Sequence, residues 1–278
     1  MAKPNWIELP GCEPIPILYE DRSALAIDKP RGWMLAPVAW QNTSRNLQAA
    51  IESSIAARDF WARSRGLKFL RHVHRLDADT SGVLLFAKSP GVVKILFDLF
   101  ESRKMEKTYL AVTVGAPKQK EWTCQLKLAP DKKRFRKMKV DGRFGKESET
   151  HFKLLETRGR FSLVEAKPIT GRTHQIRVHL AEAGLPIVGD ELYGKGSATR
   201  AHQVTLTQLS APSPRPSPPL IAGERVAESR ERGRQKSNEY KKLPLGLRAV
   251  RLAYVDPFMK RRVEIHAPTE NFLKEFGF

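Results

Sequence analysis

Acidic side chains are the minority in this chain. Its 278 residues carry 30 Asp plus Glu against 49 Lys plus Arg, a formal net charge of +19. Such an imbalance argues against a basic partner and points to a polyanion, with nucleic acid the obvious one. An acidic membrane surface is the alternative, but no basic amphipathic anchor is visible. Cysteine is scarcer still. Cys12 and Cys124 are the only two, too few for a disulfide scaffold and without metal-ligand spacing. A reduced, cytoplasmic compartment is therefore expected. No run of eighteen apolar residues exists, so no membrane span is predicted. The first residues, Met1-Ala2-Lys3-Pro4-Asn5-Trp6, lack the apolar core of a signal peptide.

What is present is organised around His72-Val73-His74-Arg75-Leu76-Asp77-Ala78-Asp79-Thr80-Ser81-Gly82, which runs straight into Val83-Leu84-Leu85-Phe86-Ala87. Asp, Thr and Ser side chains bond the backbone and Gly accepts unusual dihedrals, so the first part predicts a tight loop. The apolar run predicts a buried strand. A strand-anchored loop dense in ionisable groups is a place for chemistry. An ordinary surface turn with a capping aspartate fits the local pattern equally well.

Before it, Ile15 to Asp21 and Ala24 to Pro30 read as paired strands around Asp21-Arg22-Ser23, with a sharp exit at Pro30 and Gly32. Residues 43 to 59 read as a helix capped by Thr43 or Ser44, with Leu47, Ala50, Ile51 and Ile55 on its apolar face. Arg63, Arg65, Lys68 and Arg71 follow in a basic segment suited to phosphate or to solvent. A second helix is predicted from Ser89 or Pro90 to about Lys104, with Val93, Leu96, Phe97 and Phe100 in the core.

Glu106 to Val112, Phe161 to Ala166, Val250 to Val255 and Arg262 to Pro268 read as strands. Thr173 is placed to cap a helix running through Leu180 and closing near Gly184. On it His174 and Arg177 share a face. Asn271 to Phe276 read as a short final helix. The densest basic stretch, 118 to 146, includes Lys132, Lys133, Arg134 and Arg136 and is interrupted by Phe135 and Phe144. Cations there suit phosphates and an aromatic suits an unpaired base; a solvated hairpin is the plainer reading.

His74-Arg75-Leu76-Asp77-Ala78-Asp79-Thr80-Ser81-Gly82 resembles the signature of the RluA-type RNA pseudouridine synthases. Three further segments resemble that family in its own order: Glu106 to Val112, Gly171-Arg172-Thr173-His174-Gln175-Ile176-Arg177-Val178-His179-Leu180, and Pro186 to Gly194. The resemblance implies an α+β pseudouridine synthase fold, a mixed, largely antiparallel sheet with flanking helices and loops around a central cleft. It covers roughly residues 15 to 195 and 246 to 276, within a single catalytic domain over 1–278. The S4-type RNA-binding domain of many relatives is expected to be missing. Residues 197–244, rich in Pro and Arg, depart from the pattern and read as a disordered insertion. Arg248 stands where relatives carry a histidine.

By the same resemblance Asp77 is the nucleophile, Tyr109 packs on the target base and takes part in proton removal, and Arg177 pairs with Asp77. Arg75 fills the space that a flipped uridine vacates. His74, Arg172 and His174 are expected at the substrate, Ile187 and Val188 form a wall of the base pocket, and Lys132, Lys133, Arg134 and Arg136 contact RNA. The implied reaction is isomerisation of uridine to pseudouridine, in 23S ribosomal RNA or alternatively in transfer RNA, by a monomer. Nothing is gained or lost overall, so no cofactor or metal is expected. A nucleoside hydrolase using Asp77 and Asp79 as paired carboxylates, or a non-catalytic RNA-binding protein, are the competing readings.

Overall fold

The computed structural model describes residues 3–35, 45–194 and 243–278. The segment read as an insertion lies outside them, apart from its last two residues. Twelve strands among the described residues join one sheet: β1 (Trp6–Ile7), β2 (Ile15–Glu20), β3 (Ala24–Lys29), β4 (Arg71–His72), β5 (Ser81–Ala87), β6 (Glu106–Val114), β7 (Glu121–Pro130), β8 (Met138–Val140), β9 (Lys146–Arg158), β10 (Phe161–Pro168), β11 (Leu247–Val255) and β12 (Arg262–His266). Their order is β1-β2-β3-β5-β11-β6-β10-β9-β7-β8, with β12 beside β11 and β4 beside β5. Among these pairs only β5 with β11 is parallel, at Ser81↔Arg248 and Gly82↔Ala249. The fold is thus the mixed, largely antiparallel α+β arrangement expected. The helices are α1 (Leu47–Ala56), α2 (Phe60–Arg63), α3 (Pro90–Glu101), α4 (Gln175–Glu182) and α5 (Glu270–Glu275).

β5 shows why the sheet sits in the middle. All seven of its residues are buried. Alternate side chains leave a strand on opposite faces. Leu84 and Phe86 therefore meet Leu47, Ile51 and Trp61 of α1 and α2. Val83, Leu85 and Ala87 meet Leu96 of α3 and Val263 of β12. At the head of β5 the parallel neighbour runs so close that a Cβ on Gly82 would lie 2.0 Å from the Ala249 carbonyl oxygen, and Gly82 has φ +111. Only glycine fits both demands.

Several local expectations are corrected. α1 starts later than expected, and its cap is Asn46, whose side chain accepts from the Ala49 N–H; Thr43 and Ser44 lie outside the described residues. The helix stops at Ala56, where Ser54 and Asp59 turn the chain: Trp61 Nε1 donates to Ser54 Oγ at 2.7 Å, and Ser54 in turn bonds Asp59. In α3 Leu96 is buried, but Phe97 is 48% exposed and not in the core. Thr173 does not cap α4. The position belongs to His174, in the left-handed region at φ 54 with no side-chain cap bond. Among the described residues no helix is long and apolar enough to cross a membrane.

Candidate active site

The loop from His74 to Ser81 is fixed from several directions. Lys29, at the end of β3 and fully buried, donates its three ammonium protons to the carbonyls of Pro30, Ala78 and Thr80 at 2.9, 2.8 and 3.0 Å. The Gly32 N–H also bonds the Ala78 carbonyl. Burial pushes Lys29 down to about 7, with Asp79 and then Asp77 opposing. Arg248 completes the clamp. It donates to Ser81 Oγ at 3.2 Å, Asp28 Oδ2 at 2.6 Å and the Pro268 carbonyl at 2.9 Å. Arg248 and the half-buried Asp28 thus form an ion pair behind the loop.

His74, expected at the substrate, points the other way. Its Nε2 accepts from the Leu85 N–H at 3.0 Å and its ring stacks on Phe100 with centroids 4.6 Å apart. Burial pushes it down to about 3, so it is a neutral strut between loop and strand. This is a correction to its expected role. Arg75, next to it, is exposed, and its side chain makes no hydrogen bond or ion pair among the described residues.

Asp77 lies on the open side of this loop with its side chain 24% exposed. Its Oδ2 accepts from Arg177 of α4 at 3.1 Å. Arg177 is itself buried and held on its other edge by Asp190, with Nε to Oδ2 at 2.7 Å and NH2 to Oδ1 at 2.8 Å. Burial disfavours its charge, but the bonds to Asp190 and then the field of Asp77 outweigh that and keep it more firmly protonated than an ordinary guanidinium. Asp190 is fully buried and also accepts from the N–H groups of Leu192 and Tyr193 at 3.0 Å. Such a bidentate, satisfied pair is what makes burial of the charges tolerable. The chain reaches Asp190 through Gly189, at φ +74, where a Cβ would meet the Pro244 carbonyl oxygen at 2.2 Å.

Tyr109 projects from β6 on the same face, packed against the clusters that hold Leu76, Ala249 and Ile187. Burial, and then Asp77, raise its pKa well above the usual phenol, so it is uncharged. His174 places Nε2 3.7 Å from Asp77 Oδ2 and Nδ1 2.9 Å from the Tyr193 hydroxyl. Burial lowers the His174 pKa, with Asp77 opposing. The Gly171–Gln175 turn that carries it is set by the buried Gln175, whose Oε1 accepts from Thr170 Oγ1 and the Arg172 N–H.

Asp77, Tyr109, His174 and Arg177 therefore converge. Other expected residues do not. Arg172 turns its Nε to the Glu147 carbonyl at 3.0 Å. Ile187 lies on the Tyr109 face of β6, but Val188 packs on the opposite face with Leu110, Val112 and Phe272, so it cannot share that wall. Arg65, considered for phosphate, is 2% exposed in its side chain and bonded to Glu20. Lys132, Lys133, Arg134 and Arg136 are all exposed in the β7–β8 turn. Phe135 and Phe144 are 75% and 76% exposed, with Arg136 and Arg143 over their rings. The turn is joined to the site through Tyr193, whose hydroxyl accepts from the Met138 N–H at 2.8 Å.

Lys29 and Asp190 have no signal of their own in the local sequence beyond lying in family-like segments. Among the described residues no group of three or more His, Cys, Asp or Glu side chains is placed to hold a metal ion.

A carboxylate held at one oxygen by an arginine, beside a half-buried uncharged phenol, can act as a covalent nucleophile next to a flat ring. The profile of a family described as RNA pseudouridylate synthase matches residues 24–182. The chain is 37% identical over 191 residues to an uncharacterized RNA pseudouridine synthase, YhcT, of Bacillus subtilis, covering 68% of this chain and 61% of that one. It is 35% identical over 189 residues to ribosomal large subunit pseudouridine synthase D of Borreliella burgdorferi, covering 67% and 56%. The chain thus spans less than two thirds of the length of these relatives. Among solved structures, human RNA pseudouridylate synthase domain containing 4 superposes with a TM-score of 0.64 at 22% identity, over 94% of this chain and 91% of that one. That likeness concerns the fold. The profile match, which contains the Asp77 loop, Tyr109 and Arg177, carries the assignment: this chain belongs to the RNA pseudouridylate synthase family.

Proposed function

We propose that the chain isomerises uridine to pseudouridine in RNA, with Asp77 as the nucleophile. The supporting observation is the split environment of that carboxylate. Oδ2 is held by Arg177, while Oδ1 accepts no hydrogen bond among the described residues. One oxygen is positioned and the other is left to react. The uridine leaves its stack to reach it, which costs least in looped or single-stranded RNA. Arg75, exposed beside Asp77, fills the vacated space. Asp77 bonds the sugar carbon as the N-glycosidic bond breaks and N1 keeps the electron pair; the uracil turns, and carbon 5 bonds to the sugar and displaces the carboxylate. Tyr109 stacks on the base. It takes the proton from carbon 5 as its own phenol proton passes through the released Asp77 carboxylate to N1, so the proton lost at carbon 5 is matched by the one gained at N1. Atoms balance within the RNA, so no external group is consumed.

The RNA is taken to be large-subunit ribosomal RNA. This rests on relatives named as ribosomal large subunit pseudouridine synthases, among them a protein of Vibrio vulnificus 39% identical over 181 residues. The exposed cations and aromatics of the β7–β8 and β8–β9 turns supply phosphate and base contacts. Base-resolved pseudouridine mapping of total RNA, with and without the gene, tests the whole reading. A gene-dependent site in large-subunit rRNA is expected. A site only in transfer RNA would move the substrate. Free uracil without isomerised RNA would make the protein a hydrolase.

A further inference from the structure

The Tyr193 phenol is where the basic hairpin, α4 and the Asp77 loop meet. Its oxygen accepts from the Met138 N–H at 2.8 Å and lies 2.9 Å from His174 Nδ1. Its ring packs beside the Arg177 guanidinium, 5.2 Å to the centroid, and beside Lys137 Nζ at 5.1 Å. A phenol has one proton to give. Among the described residues no other acceptor lies within hydrogen-bond distance of it, so the proton goes to Nδ1. A neutral imidazole that accepts at Nδ1 carries its own proton on Nε2.

That Nε2 faces Asp77 Oδ2 at 3.7 Å, the same oxygen that Arg177 holds at 3.1 Å. The separation exceeds a hydrogen bond, and a closure of about 0.7 Å makes one. The backbone that presents the ring is the unusual one: His174 is a non-glycine residue at φ 54, a conformation that persists where the surroundings impose it. An ordinary cap residue at this position would have carried the ring elsewhere.

We propose that His174 is a positioning residue for Asp77: Tyr193 fixes its tautomer, and its Nε2–H joins Arg177 on Oδ2, so that Oδ1 is presented to the uridine. Because the Tyr193 hydroxyl also receives the Met138 N–H, seating of the β7–β8 hairpin and orientation of the carboxylate share one hydrogen-bonded relay. The inference rests on the pseudouridine synthase reading for its catalytic meaning, but the tautomer is a property of the free protein.

The test has two arms. In the free, 15N-labelled protein, long-range proton–nitrogen correlations of the His174 ring, identified by their loss in His174→Ala, report the tautomer. The Nε2–H form is expected, with a shift toward Nδ1–H in Tyr193→Phe, which keeps the ring and removes only the hydroxyl. In single-turnover assays at saturating RNA, Tyr193→Phe and His174→Ala should slow the reaction up to about 100-fold, the cost of misplacing a reacting group by about 1 Å, with RNA affinity unchanged. His174→Gln, whose amide can donate to Oδ2, should recover part of the rate. An Nδ1–H ring in the wild type, or a wild-type rate in His174→Ala, would overturn the inference. If the wild type forms no pseudouridine in any RNA while the ring is Nε2–H, the functional reading fails and the tautomer assignment stands.

Discussion

The Asp77 loop and the β7–β8 turn are both polar, both turn-forming and both rich in charge, yet they are built in opposite ways. The first is clamped by a buried lysine, a buried arginine and a half-buried histidine. The second presents Lys132, Lys133, Arg134, Phe135 and Arg136 to solvent and is tied to the site through the Met138–Tyr193 bond. Chemistry needs a reacting atom held to within a fraction of an ångström, so its loop spends its polar groups on the protein. Recognition of a phosphate backbone needs cations that remain free, so its loop spends few. Charge in a sequence can therefore mean either a strut or a contact, and burial decides which.

The comparison is broken most severely at Asp77. Asp77→Asn keeps the shape and removes the charge. Turnover should fall on the order of 10⁴-fold or more, while thermal stability and RNA affinity stay near wild type; residual turnover close to wild type would remove Asp77 as nucleophile.

A smaller and opposite effect is expected at the hairpin. Reversing Lys132, Lys133, Arg134 and Arg136 to Glu should weaken RNA binding at least about tenfold and flatten the salt dependence by about 0.7 for each lost phosphate contact. The single-turnover rate at saturating RNA should hold. Binding titrations across a salt series decide it, and an unchanged slope would take this surface out of the interface.

A third effect concerns stability. Burial pushes His74 down to about 3 in the folded chain, against about 6.5 unfolded. As pH falls below about 6.5 the unfolded form takes up the proton first, so stability present at pH 7 drains away toward pH 3. His72 and His179, both lowered to about 4 by burial first of all, act in the same sense. Between pH 7 and pH 5 the His74 share is about 2 kcal/mol. His74→Gln keeps an acceptor for the Leu85 N–H and should reduce the pH dependence of the unfolding free energy from urea titrations by roughly that amount; no reduction would mean that His74 is not the neutral strut described.

The strands were legible where their pattern is local. The alternation in β6 and β10, the apolar run of β5 and the Asp21 turn are properties of a few consecutive residues. The motifs were legible too, and Asp77, Tyr109 and Arg177 are brought together by the fold. Misreadings arose where a partner is distant in sequence. Nothing near Lys29 announces that its acceptors lie 49 and 51 residues away. Arg65 looks like a free cation until Glu20, 45 residues earlier, is found beside it. Ile187 and Val188 are equally apolar neighbours, and only their seats on either side of β6 separate a site residue from a core residue.

By itself, then, the sequence determined the basic character of the chain, the strand-forming stretches and the residue types of the reacting set, because those depend on composition and short-range periodicity. The tertiary structure alone decided which charges are buried in pairs, which nitrogen of His174 faces Asp77, and that Asp190 stands behind Arg177. Ion pairs and hydrogen bonds act over about 3 Å in space, and separation along the chain says nothing about that distance until the sheet has closed.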